Sequence, residues 1–277
     1  MAPDNLSAML GAVPNFVFSV LFPLYILASV YIYVSLVRQI SARRSAFPNG
    51  STRTFGLPEA VLAAALIFLL LLNISASLSN RSVQLNARNL LENLLFTVAL
   101  VLFIAAFLRL RGLDLSSLGG FFRITFLRAL STGTVLILAA YPLISIADAI
   151  TQRVFGSGSS KQSIVELFSG SRTIEQRMLI IVFAVAIAPV VEEFLFRFFL
   201  YGVLKRYLGR FLGITVNALL FAAAHTHFPS FAPLFVLGSC FTIAYEWSGS
   251  ILVSMTMHAL FNSLSLTVLA FPELFSQ

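Results

Sequence analysis

Apolar runs of about 20 residues recur along the whole chain, VLAAALIFLLLL at 61–72 among them, and that is the length a helix needs to cross the hydrocarbon core of a bilayer. In hydrocarbon the backbone has no water to bond to, so only helices and closed barrels can span it. The alternating apolar and polar pattern of a membrane barrel is absent. The spans are therefore expected to be helices. Composition agrees: 58% of the 277 residues are hydrophobic and 10% charged, against about 25% charged in an ordinary soluble domain, and the mean hydropathy is +0.93. The expected fold class is all-α, a polytopic integral membrane helical bundle of about eight transmembrane helices.

The eight expected spans lie near 12–37, 57–78, 90–108, 124–148, 178–201, 211–225, 231–247 and 251–270. The one long connection, ITQRVFGSGSSKQSIVELFSGSRTIEQR, reads as a Gly/Ser-rich turn followed by an interfacial helix. It divides the chain into 1–176, with about four spans and the connecting loop, and 177–277, with about four spans, all three His residues and a pair of adjacent glutamates. No internal repeat suggests an inverted-repeat transporter. The first residues carry no basic n-region, so no cleavable signal peptide is expected, and one Cys excludes an intramolecular disulfide.

The 18 Lys and Arg against 11 Asp and Glu do not build a basic face on a soluble domain, so no nucleic-acid partner is expected. They sit in the short links and set orientation, because cytoplasmic loops carry the excess. Arg38, Arg43, Arg44, Arg53, Arg109, Arg111, Arg123, Arg128, Lys205, Arg206 and Arg210 share one expected side, and Arg81, Arg88, Arg153, Lys161, Arg172 and Arg177 the other. That 11 to 6 bias places both termini outside the cytoplasm.

Within the apolar runs, APVVEEFLFRFFLYG at 188–202 buries Glu192, Glu193 and Arg197. Intramembrane charge is expensive and marks either a packing lock or a functional site. Glu193 and Arg197 are four apart and can pair on one helix face. Glu192 is turned about 100° away and needs a partner from another helix. Pro189 removes a backbone donor, which leaves a carbonyl to be satisfied by water or by a neighbouring helix. FAAAHTHFP offers His225 one turn after Phe221, and SMTMHALFNS offers His258 one turn before Asn262. Three small residues, Ala222, Ala223 and Ala224, let another helix approach. His227, before Pro229, reads as interfacial; Glu59, Glu92 and Asp148 lie near span ends where water is at hand; Cys240 reads as packing.

Taken in order on successive helices, EExxxR (Glu192, Glu193, Arg197), FxxxH (Phe221, His225) and HxxxN (His258, Asn262) resemble the CPBP family of intramembrane proteases. That family includes the type II CAAX prenyl endopeptidases and the bacteriocin-processing or immunity proteins. The link LGSCFTIAYEWSGSILVSMTMHALFN adds Gly238, Tyr245 and Gly249 as landmarks. The resemblance covers about 177–269; the first four spans match only in hydrophobic character. Phe198 departs from it, since the family often has Gly after the arginine.

The resemblance implies an intramembrane endopeptidase in the inner membrane of a prokaryote, with the bilayer and a peptide or membrane-protein substrate as its partners. Peptide hydrolysis requires an activated water and a stabilised oxyanion. Glu192 is suited to take the water's proton, since a desolvated carboxylate is a stronger base than a hydrated one. His225 helps hold that water, and His258 and Asn262 can donate to the oxyanion. By the family pattern Glu193 and Arg197 support the site. No Ser, Cys or Thr lies beside a base in the manner of a nucleophile. No cofactor is required by this reading. A zinc reading would use Glu192, His225 and His258 as the three protein ligands, but HExxH is missing and no spare carboxylate would then remain as base. A non-catalytic immunity or scaffold protein of the same family, and a transporter, are the alternatives.

Overall fold

The computed structural model describes residues 4–46, 55–79, 87–155, 168, 170–171 and 173–271. Nine helices follow one another among them: α1 (Asp4–Ala46), α2 (Leu57–Ser79), α3 (Ala87–Leu110), the short α4 (Leu115–Gly119), α5 (Phe126–Phe155), α6 (Ile174–Leu208), α7 (Arg210–Ala224), α8 (Phe231–Ser248) and α9 (Ile251–Ala270). No strand occurs among the described residues. Seven of these helices are long and apolar enough to cross a membrane. The sixth expected span is present as α7, but its 15 residues extend only about 22 Å at 1.5 Å per residue, less than the roughly 30 Å of hydrocarbon. Most of the long connection before α6 lies outside the described residues, and the expected interfacial helix with it.

Local chemistry sets the boundaries. Thr173 caps α6, its Oγ1 accepting from the Gln176 amide at 3.2 Å. Gly249, at φ 67°, stops α8 in the left-handed conformation that glycine adopts without penalty. Gly120, at φ 63°, lies directly against the Gly249 carbonyl, and a Cβ there would collide with it. The loop after α4 is thereby pressed onto the α8–α9 turn, where Tyr245 Oη donates to Leu118 O at 3.1 Å. Asp114 caps α4; its bonds from the Ser116 hydroxyl and amide hold its carboxyl below the usual range.

One buried cluster joins residues from both sides of the 176/177 division, including Ile104, Leu108 and Ala140 from α3 and α5 and Phe199, Phe221, Phe241 and Met257 from α6 to α9. Close helix approach makes this possible. Gly133 of α5 sits against Thr256 and Val253 of α9, where a side chain would have no room. Phe55, just before α2, packs edge-on against Phe198 at 6.2 Å and Phe199 at 6.1 Å, over Gly202, which has no Cβ to obstruct it. Phe198, the departure noted in the sequence, stacks on Phe194 at 4.9 Å and is 2% exposed, so its ring fills the core. The outer faces of α2 and α3 carry exposed Leu69, Leu72, Leu95 and Phe103, as lipid contact requires.

The helix ends that were expected to share a side do so. Arg43 donates to Trp247 O (2.7 Å), Trp247 Nε1 to Gln39 (3.0 Å) and Arg210 to Ile40 O (2.7 Å), joining the ends of α1, α7 and α8. Glu246 gathers Lys205 and Arg210, each at 2.7 Å, and Tyr201 Oη at 3.0 Å. Glu59 differs from its sequence reading: it is 2% exposed rather than wet, taking the Gly56 amide at 2.6 Å and Arg111 at 3.2 Å. These contacts all lie on the arginine-rich face, with α1 starting and α9 ending opposite. Reporter fusions at either terminus are expected to read extracytoplasmic; two cytoplasmic readings would invert the orientation.

Candidate functional site

The motif-bearing side chains meet where α6, α7, α8 and α9 pack together. α6 is the unusual element. Two of its stretches, Phe183–Ile187 and Phe194–Leu200, are π-helical, and between them runs the α-helical Ala188–Glu193. π segments inside α-helices are rare and frequently mark functional sites. Nothing in the periodicity of the sequence announces them; Pro189 was the one local sign of disturbed backbone bonding.

The two glutamates are separated as their helical offset required. Glu193 is fully buried and Glu192 keeps 29% of its side chain exposed. Glu193 Oε1 accepts from Arg197 Nη1 at 2.9 Å and also from His258 Nδ1 at 2.9 Å. The second contact was not foreseen. It turns Glu193 from a partner of arginine into the group that orients a histidine on another helix. With Nδ1 donating to that carboxylate, His258 Nε2 faces Glu192, 3.9 Å from its Oε2. That Oε2 is buried without a hydrogen-bond partner.

Arg197 is enclosed completely. Its guanidinium lies 4.2 Å from the centre of the Phe221 ring, 5.1 Å from Phe241 and 5.9 Å from Phe196, so aromatic faces replace part of its lost hydration. Nη2 donates to Gly238 O at 3.3 Å, a carbonyl that Thr242 Oγ1 also reaches at 2.8 Å, with Asn217 bonded to Thr242 at 3.1 Å. Gly238 permits this approach, because a Cβ there would press on the Phe221 ring at 2.9 Å.

His225 is the last residue before the chain leaves α7. Its Nδ1 donates to Phe221 O at 2.8 Å, which leaves Nε2 as the acceptor of a neutral ring. Thr226 then takes a positive φ of 49°, uncommon for a β-branched residue. Among the described residues no direct hydrogen bond joins His225 to Glu192 or His258. The link is Phe221, whose ring touches His225 at 4.8 Å and His258 at 5.9 Å. His227 instead bonds Ser230 at 2.7 Å at the start of α8. Asn262 lies one turn beyond His258, and its Nδ2 donates to Ala184 O at 2.7 Å, across to the first π segment.

The zinc reading can be tested on the donors themselves. Glu192 and the Nε2 atoms of His225 and His258 have suitable chemistry, but no group of three His, Cys, Asp or Glu side chains placed to hold a metal occurs among the described residues.

Comparison with known proteins falls on this same region. Residues 174–264 match the family model described as type II CAAX prenyl endopeptidase Rce1-like, a stretch that opens with α6 and includes every site residue named above. The membrane-embedded CAAX protease MroQ of Staphylococcus aureus (strain USA300) is 27% identical over 123 residues, 42% of this chain and 49% of that protein. The match thus spans about half the length of that relative. No solved structure matches. The resemblance of the second half to the CPBP family is borne out, and the chain is a multi-pass integral membrane protein by its apolar helices.

The buried pair generates a stability prediction. Glu193→Gln leaves Arg197 without its counter-charge, and breaking a buried pair costs about 3 to 5 kcal/mol. Thermal unfolding in detergent should show Glu193→Gln well below the wild type and Glu193→Gln with Arg197→Met partly restored. An equally unstable double variant would sink the pairing argument.

Proposed function

We propose that the protein is an intramembrane endopeptidase of CAAX-protease type that hydrolyses a peptide bond with a water activated by Glu192. The observation that carries the reading is the contrast between the two glutamates. Glu193 is fully buried with its Oε1 spent on Arg197 and His258, whereas Glu192 is partly open, bonded to neither, and set against His258 Nε2. A carboxylate left in that condition at membrane depth is poised to act as a base. The matches to Rce1-like endopeptidases and to MroQ support the reaction class.

In this mechanism Glu192 takes a proton from water as the oxygen attacks the substrate carbonyl, and His225 Nε2 accepts the water's other hydrogen. His258, held at Nδ1 by Glu193, donates from Nε2 to the developing oxyanion, and the amide hydrogen of Asn262 not used on Ala184 donates beside it. The proton on Glu192 then passes to the leaving nitrogen. Donation at both ring nitrogens requires His258 to carry a proton on each. The substrate is a peptide or a segment of a membrane protein.

Two experiments bear on this. Glu192→Gln keeps shape and removes the base, so cleavage should fall by a factor on the order of 100 or more while thermal stability in detergent stays at the wild-type value. Near wild-type cleavage would refute the assignment, and a loss of stability matching that of Glu193→Gln would refute the division of roles. Purified enzyme stripped of metal should retain its activity; loss on stripping with recovery on stoichiometric zinc would establish a metalloenzyme instead.

A further inference from the structure

The first π segment of α6 has a register that can be read directly. The Ala188 amide donates to Phe183 O, five residues back. The next bond of that pattern would run from residue 189 to Ala184 O, and residue 189 is Pro, which has no N–H. Ala184 is 5% exposed and lies at membrane depth, where an unpaired carbonyl is costly. Asn262 Nδ2 donates to that same oxygen at 2.7 Å. Eight residues separate Ala184 from Glu192, so the backbone state of this segment fixes the rotation at which both glutamates leave the helix.

We propose that Asn262 is a positioning residue: its amide replaces the backbone donor that Pro189 lacks, holds the π segment in register and so aims Glu192 at the reacting water. This is a task distinct from contact with the oxyanion, and it explains why an Asn on α9 is set across from a Pro on α6. The pair works as one device. Pro189 denies the helix its own donor, and Asn262 supplies one from a neighbour, so that α6 and α9 are coupled through a single carbonyl. Relaxation of the π turn to α geometry would shift the residues after it by one position around the helix, about 100°.

The proposal rests on the peptidase reading for its catalytic consequence, and its test has one arm that needs no substrate. Hydrogen exchange of the full-length protein in detergent should show the amides of 184–193 exchanging at least tenfold faster in Asn262→Ala than in wild type, with Glu192→Gln unchanged as control. Cleavage should show Asn262→Ala losing kcat with little change in KM. In the background Pro189→Ala, which returns an N–H to residue 189, the kcat loss caused by Asn262→Ala should shrink, giving a non-additive double-mutant cycle. Unchanged exchange over 184–193, or additive losses in kcat, overturns the proposal. If instead the exchange result holds and wild-type protein cleaves nothing, the peptidase reading fails and the positioning bond stands.

Discussion

Glu193 Oε1 is the atom through which three helices are tied at the centre of the bundle. It accepts from Arg197 on its own helix and from His258 on α9, and Arg197 in turn reaches Gly238 O on α8. A charge so placed is tolerable only with its counter-charge beside it. Removing either partner therefore disturbs helix packing and histidine orientation together. Helix packing and histidine orientation share one oxygen here, and Glu192 bonds neither Arg197 nor His258 Nδ1.

Around that oxygen the surroundings are aromatic. Phe196, Phe221 and Phe241 offer ring faces to the guanidinium, and Phe221 and Phe241 also wall the His258 imidazole. Rings provide electrostatic compensation for a cation without introducing a polar atom that would itself need a partner. Phe198 and Phe55 extend the packing to the chain before α2, so the first half of the molecule supports the second through the side chain at which the sequence departs from the family it resembles.

Much of this could be read from residue spacing. The offset between Glu192 and Glu193 foretold that one would pair with Arg197 and the other face elsewhere, and the four-residue steps from Phe221 to His225 and from His258 to Asn262 put each pair on one helix face. Pro189 foretold a carbonyl in need of a neighbour, though not that Asn262 of α9 would be that neighbour. What spacing could not convey was anything set by packing across helices. The π segments, the choice of Glu193 by His258 and the double use of the Gly238 carbonyl depend on where other helices press. Glu59 was misread for the same reason: proximity to a helix end did not reveal that Arg111 would fold over it.

The fifteen residues of α7 have a consequence for the bilayer itself. A segment about 8 Å shorter than the hydrocarbon it faces creates a hydrophobic mismatch, which lipids meet by thinning locally. At one end His225 closes the helix and residues 226–230 turn back, a stretch with polar side chains at Thr226, His227 and Ser230. A helix that stops short leaves less oil between bulk water and the buried charges than a full span would.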